Sequence, residues 1–314
     1  MSAELIKHAA DLLRAGELVA FPTETVYGLG ADATNGAAVT KIFAVKGRPS
    51  TNPLIVHVAD KTIARHFAQT WDDRAEKLAT SFWPGPLTLV LPKVPEIVPQ
   101  VTAGLSTVGL RVPKHPIALQ LLRTFGGALA APSANRSNRI SPTTAQHVRA
   151  EFGDAITLIL DGGPCTVGIE STVLDLSDKP RILRPGAISR EMIQEVLGEP
   201  VEQQTLITTA HTPTHSPGQL PVHYAPTKPA FRFDREQSNN IHQWHKTHSD
   251  SAVIWLSNAT PEDYAHNLYA KLRDADTTAE LILIEMPPDQ PAWTAIRDRI
   301  TRATKPIKLS DLSK

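Results

Sequence analysis

Short, largely apolar runs, each too brief to be a buried helix, recur through the first part of this chain and constrain its fold most. Leu18–Phe21, Leu54–Val58, Leu87–Leu91, Val108–Val112, Ala128–Ala131 and Leu158–Leu160 are such runs, and at this length they suit buried strands. Helical spacing fills the gaps at 72–82, 115–123 and 143–150. An amphipathic helix over 3–15 opens the chain, with Leu5, Ile6, Ala9, Leu12 and Leu13 on one face and Gly16 as its stop. Asn35 is placed to cap a second helix, whose Val39, Ile42 and Phe43 face inward. Thr172–Leu176 and Arg181–Leu183 add strands, and Ser189 caps a helix that ends at Gly198. Strands alternating with helices predict an α/β domain with a largely buried sheet.

The texture changes after Gly198. EPVEQQTLITTAHTPTHSPGQLPVHYAPTK is rich in proline and threonine and has little apolar periodicity, so it reads as a linker. Beyond it, Ala252–Leu256 and Leu281–Ile284 read as strands. Tyr264, Leu268 and Leu272 space out a helix after Pro261, and Ile296 and Ile300 mark a closing one. A length of 314 residues fits two domains. The expected division is a first domain over 1–198, a linker over 199–227 and a smaller α/β domain over 228–314.

Charge and cysteine content narrow the function classes. With 32 Lys+Arg against 32 Asp+Glu, the net charge is zero, which argues against polybasic binding of nucleic acid. The single cysteine, Cys165, excludes an intramolecular disulfide and any multi-thiolate metal site. No segment has the apolar length of a signal peptide or a membrane span, so the expected setting is cytoplasmic, with no membrane. The charges are nevertheless uneven. No acid lies between Glu96 and Glu151, where Arg111, Lys114, Arg123, Arg136, Arg139 and Arg149 stand, and none lies between Asp32 and Asp60 around Lys41, Lys46 and Arg48. These cations sit among glycine, proline and hydroxyl residues rather than along one helix, which suits a pocket for a polyanion such as a nucleoside triphosphate.

Familiar catalytic signatures are missing. There is no G-x-x-x-x-G-K-[ST], no G-x-G-x-x-G and no G-x-S-x-G around Ser133. His242, His245 and His248 lack partner acids and read as a solvated face rather than a metal site. Cys165 reads as a turn or core residue rather than a nucleophile. What remains is a set of polar loops at strand ends, where open α/β sheets bind ligands. Arg111 stands inside a strand with no acid nearby in sequence, so its expected partner is a bound carboxylate or phosphate.

PTETVYGLG, KGRP-x-x-NPL-x-VH, FWPGPLT, APSAN-x-S and ESTV occur in this order. The series resembles the YrdC-type domain of the threonylcarbamoyl-AMP synthases over about residues 5–198. SPGQLPVHYAP and YAHNLYAKLRD resemble the longer, two-domain members. The resemblance implies a YrdC-like twisted mixed sheet with helices, followed by a smaller Rossmann-like α/β C-terminal domain. It also implies a nucleotidyltransferase that makes threonylcarbamoyl-AMP and pyrophosphate from L-threonine, bicarbonate and ATP. The product serves the threonylcarbamoyl-adenosine modification beside the anticodon of tRNA, through downstream tRNA threonylcarbamoyl-transferase proteins.

Carried over by motif, Thr25, His57, Arg111, Ala131 and Ser171 would hold threonine. Arg48, Asn52, Thr107, Ser133, Ser141, Arg184 and Tyr224 would hold ATP, with Tyr224 bringing the linker over the pocket as a lid. Lys46 and Arg48 would serve catalysis near the phosphates, with Mg²⁺ held mainly by those phosphates and no protein metal site. Two other readings stay open here. Hydrogenase-maturation carbamoyltransferases contain a similar domain, but in longer chains with zinc-finger segments that a single cysteine cannot supply. A non-enzymatic RNA-binding module could also use the basic concavity, and RNA binding stays a possible role for the C-terminal domain.

Overall fold

The computed structural model describes residues 1–203, 223–256 and 259–307. Its first part runs α1 (Ala3–Arg14), β1 (Val19–Phe21), β2 (Gly28–Asp32), α2 (Gly36–Lys46), β3 (Ile55–His57), α3 (Lys61–Phe67), α4 (Asp73–Phe82), β4 (Leu87–Pro92), α5 (Pro99–Thr102) and β5 (Thr107–Arg111). It continues through α6 (Pro116–Phe125), β6 (Leu129–Ala130), α7 (Ala145–Phe152), β7 (Leu158–Ile159), β8 (Thr172–Asp175), β9 (Arg181–Arg184), α8 (Arg190–Leu197) and β10 (Glu202–Gln203). The caps expected from sequence form: the Asn35 side chain accepts from the amides of Ala37 and Ala38, and Ser189 accepts from Met192.

These strands make one ten-stranded mixed sheet in the order β10-β9-β8-β4-β5-β3-β6-β2-β1-β7. β3 pairs parallel with β5, placing His57 directly beside Arg111. β2 pairs antiparallel with β1 and β6. Residues from α1 and α6, among them Ile6, Leu13, Leu121 and Leu122, pack with Val19, Phe21 and Leu129. A larger cluster joins Val39, Ile42, Leu78, Leu89 and Leu110. The sheet is therefore buried, as its apolar runs require.

The second part holds β11 (Ala230–Phe233), α9 (Ser238–His245), β12 (Ser251–Ile254), α10 (Pro261–Thr278), β13 (Leu281–Glu285), α11 (Thr294–Ala303) and β14 (Lys305–Pro306). Its strands form a parallel four-stranded sheet, β12-β13-β11-β14. The two parts share a core: Val26, Ile140 and Ile169 pack in one cluster with Tyr224, Leu268, Leu272, Ile284, Ile296 and Ile300. Of the expected linker, Glu202–Gln203 is a strand paired with β9, and residues 204–222 lie outside the described residues.

Candidate functional site

The β1–β2 loop turns the first site residues inward. Thr23 Oγ1 donates to the Val26 carbonyl at 2.6 Å and accepts from the amides of Thr25 and Val26, closing a hydroxyl-braced turn. Thr25 is fully buried, and its hydroxyl accepts from Arg111 Nη2 at 3.0 Å. The expectation that Arg111 lacks a protein acid is overturned. Glu24 Oε1 lies 2.7 Å from Arg111 Nη2, off the N–H direction, so the two form a buried ion pair without an aligned hydrogen bond. The acid comes from the loop crossing the strand ends, which no local sequence window contains. Glu24 Oε2 accepts the Lys114 amide at 2.9 Å, and Arg111 Nε donates to Gly85 O at 3.2 Å. Arg111 Nη1 donates to no protein acceptor among the described residues, which suits a ligand carboxylate. Beside it, burial and then the Arg111 charge hold the His57 imidazole well below its usual range, so it is neutral at physiological pH.

The end of α2 sets a second group. Gly47 adopts φ +60°, and the Arg48 amide returns to Phe43 O at 3.0 Å. That turn sends Lys46 and Arg48 inward. Arg48 Nε and Nη2 hold the carbonyls of Asn52 and Pro53 at 3.1 and 2.9 Å. Burial first, with Arg184 adding to it, pushes the Arg48 guanidinium down to about 9, still charged at neutral pH. Lys46 Nζ donates to the carbonyls of Ser133 (2.5 Å) and Asn135, pinning the APSAN loop. Burial, then Arg48, depress its ammonium. On β9, Arg184 grips Ser171 through its carbonyl at 3.0 and 3.1 Å and its hydroxyl at 3.1 Å. The Ser171 hydroxyl also sits 2.8 Å from that of Thr88.

One cavity of about 50 Å³ gathers Thr25, His57, Arg111 and Ala131 with Arg48, Ser133, Ser171, Arg184 and Tyr224. Four expected residues do not line it. Lys46 acts behind the APSAN loop. Asn52 is buried beside Arg48, and neither of its amide atoms has a partner among the described residues. Thr107 faces a separate small hollow with Pro53 and Thr102. Ser141 donates to Glu170 Oε1 at 2.5 Å.

Glu170, which also lines the cavity, is the second acid that sequence reasoning missed, although it stands in the EST motif as Glu24 stands in PTET. It accepts from Tyr269 Oη at 2.9 Å and Arg299 Nε at 2.8 Å. Burial would raise its carboxyl, but Arg299, Arg184 and the hydrogen bonds outweigh that and bring it down to about 2. Tyr224, at φ +62°, is fully buried with its hydroxyl unpartnered among the described residues, and the Arg299 guanidinium lies 5.1 Å from its ring centre. His223 Nδ1 and His57 Nδ1 are likewise buried and have no partner among the described residues.

Other candidates stay outside this chemistry. The Cys165 thiol is buried and pushed up to about 12 by burial, as a core residue. His245 bonds Ser251 and His248 stacks on Trp244. Among the described residues no cluster of three or more His, Cys, Asp or Glu could hold a metal, and no helix is long and apolar enough to cross a membrane.

A twisted mixed sheet whose strand-end loops converge arginines and unpartnered polar atoms on one cavity, backed by a parallel C-terminal sheet, defines a small-molecule site of the YrdC type. Residues 11–186 match the Sua5/YciO/YrdC family model, described as telomere recombination, and residues 188–304 match the one described as threonylcarbamoyl-AMP synthase, C-terminal domain. The threonylcarbamoyl-AMP synthase of Bacillus subtilis is 42% identical over 95% of this chain and 92% of its own. The crystal structure of Pyrococcus abyssi Sua5 complexed with L-threonine superimposes with a TM-score of 0.87 at 38% identity, over 96% of this chain and 95% of that one. The chain belongs to the threonylcarbamoyl-AMP synthase family.

Proposed function

We propose that this chain makes threonylcarbamoyl-AMP and pyrophosphate from L-threonine, bicarbonate and ATP, for the threonylcarbamoyl-adenosine modification of tRNA. The observation that carries this reading is the meeting, in and beside one cavity, of Arg48, Arg111 and Arg184 with buried polar atoms that no group among the described residues satisfies, those of Asn52, His57, His223 and Tyr224. Buried polar atoms without protein partners mark where a polar ligand belongs.

Threonine's carboxylate suits Arg111, oriented by Glu24 and Gly85, and its hydroxyl suits Thr25, neutral His57 or Ser171. The amine adds to carbon dioxide derived from bicarbonate and loses a proton, giving a carbamate. A carbamate oxygen then attacks the α-phosphorus of ATP, and the bond to the β-phosphate oxygen breaks to release pyrophosphate. Both reactants are anions, so the contribution required of the protein is positioning and charge neutralisation by Arg48 and Arg184. Lys46, tied to two carbonyls, acts by shaping the APSAN loop toward the nucleotide. We assign the chain to the nucleotidyltransferases on this chemistry. Glu170 at the cavity and Glu24 beside it are committed to Arg299 and Arg111, so Mg²⁺ would be carried by the phosphates, neutralising their charge. A cavity of about 50 Å³ is far below the roughly 300–1,000 Å³ of a typical ligand pocket. We take His223 and Tyr224, which line it, as the part that moves to admit the nucleotide, the role expected of the linker as a lid. We place the reaction in the cytoplasm, with the labile adenylate passed to tRNA threonylcarbamoyl-transferase proteins.

The test is pyrophosphate release by the purified chain with threonine and bicarbonate omitted in turn. Release that needs both is the expected result. Release indifferent to threonine would overturn the reading.

A further inference from the structure

Among the side chains by which the C-terminal part reaches the site, with Tyr269 and Arg273, one carries a buried charge to Glu170. Arg299 on α11 is 0% exposed, and each of its guanidinium nitrogens has a protein partner. Nε donates to Glu170 at 2.8 Å, Nη1 to Asp298 Oδ2 at 2.7 Å and Nη2 to Pro185 O at 3.0 Å. Its guanidinium also backs the ring of Tyr224. Arg299 is absent from the cavity wall, so its hydrogen bonds go to the protein rather than to substrate. Two residues assigned to ATP nevertheless depend on it: Ser141, through Glu170, and Tyr224.

We propose that Arg299 is a positioning residue for the synthase reaction. It fixes the Glu170 carboxylate that orients Ser141 and holds the ring of Tyr224, so the C-terminal domain completes the nucleotide side of a site built on the N-terminal sheet. This rests on the function proposed above. A buried carboxylate needs a counter-charge. Without Arg299 the remaining cation acting on Glu170 is Arg184, which holds Ser171. Glu170 would then draw Arg184 off Ser171 and misplace a second nucleotide contact. The group formed by Arg111, Glu24 and Thr25 shares no hydrogen bond with this network, so the threonine contacts it provides are spared.

The experiment uses the full chain and four variants: Arg299→Gln, Arg299→Lys, Glu170→Gln and the double variant Arg299→Gln/Glu170→Gln. Pyrophosphate release is measured with ATP and threonine varied separately, ATP affinity is measured without threonine by calorimetry, and melting temperatures are recorded. Arg299→Gln is expected to lower kcat/KM for ATP about 100-fold, the scale of an ångström-level misplacement, with a much smaller rise in KM for threonine, which loses the support of Ser171 but keeps its carboxylate contact at Arg111. Arg299→Lys should fall between it and the native chain. The double variant should recover part of the loss, because the stranded charge is gone. Equal losses for both substrates that follow the melting temperature, or a double variant whose loss is the product of the single ones, would make Arg299 an anchor only and overturn the proposal. If Arg299→Gln does not fold, Arg299→Lys and Glu170→Gln must show the same split between substrates. If the native chain releases pyrophosphate without threonine, the synthase reading fails. The calorimetric arm still reports whether Arg299 supports ATP binding, which separates the two failures.

Discussion

Arg111 and Glu24 bury opposite charges at 4% and 5% side-chain exposure, each held by groups from other segments. Removing one partner of such a pair strands the other at a cost of about 3–5 kcal/mol, whereas removing both charges is far milder. Arg111→Met should therefore destabilise the fold by about that amount, and adding Glu24→Gln should restore much of it. Threonine-dependent turnover should stay low in both, because the carboxylate contact is gone. Urea midpoints read the first effect and KM for threonine the second; recovered turnover in the double variant would remove Arg111 from the threonine site. Arg111 was legible in the sequence because a strand arginine in an acid-free stretch demands an anion. Glu24 was not assigned, since only tertiary structure carries the β1–β2 loop across to β5. Arg299 left no signal at all, as the partners that tie it to the site, Glu170 and Pro185, lie more than a hundred positions away.

Elements were legible where burial or capping fixes them locally: β1, β3, β4, β5 and β8 appear over the apolar runs, α1 and α8 end beside Gly16 and on Gly198, and α2 begins on its Asn35 cap, the residues that predicted them. β2 was missed because Gly-Leu-Gly-Ala-Asp has poor strand propensity and gains its place from pairing with β1 and β6. β11 was missed because three of its four residues are only half-buried, so it shows no apolar run. One contact between elements depends on a missing side chain. Gly168 has φ +82°, and a Cβ there would come within 2.6 Å of Ala265 O and His266 Cα on α10. Its neighbour Val167 donates to Glu24 O at 2.7 Å, so the same segment touches both the C-terminal helix and the β1–β2 loop. Gly168→Ala should cost about 1–3 kcal/mol through strain and overpacking and should lower activity with it. A native urea midpoint in that variant would show the approach of α10 to be soft.

At the scale of the whole molecule, the shared core and the buried imidazoles tie stability to pH. Burial keeps His57 neutral in the folded chain and brings His223 down to about 3. Unfolded imidazoles protonate near 6.5, so below that pH the unfolded chain binds protons the folded one refuses. This stability is fully present above about pH 6.5 and is lost as pH falls toward 3, by about 1.4 kcal/mol per pH unit for each such proton. Below the usual carboxylate range Glu170, held at about 2, adds a further loss of the same sign. Urea midpoints between pH 7.5 and 5 should decline on acidification, less steeply in His223→Asn; a flat native profile would contradict the buried, neutral state of both rings. The side-by-side register of His57 and Arg111 on β3 and β5 has a separate consequence. Because side chains alternate along a strand, a one-residue slip of β3 would carry His57 out of the pocket face and bring an apolar neighbour in beside Arg111. Burial of all three β3 residues penalises such a slip, so refolded molecules should be either in register and competent or not folded, and low specific activity then reports the folded fraction rather than a graded weakening of every site.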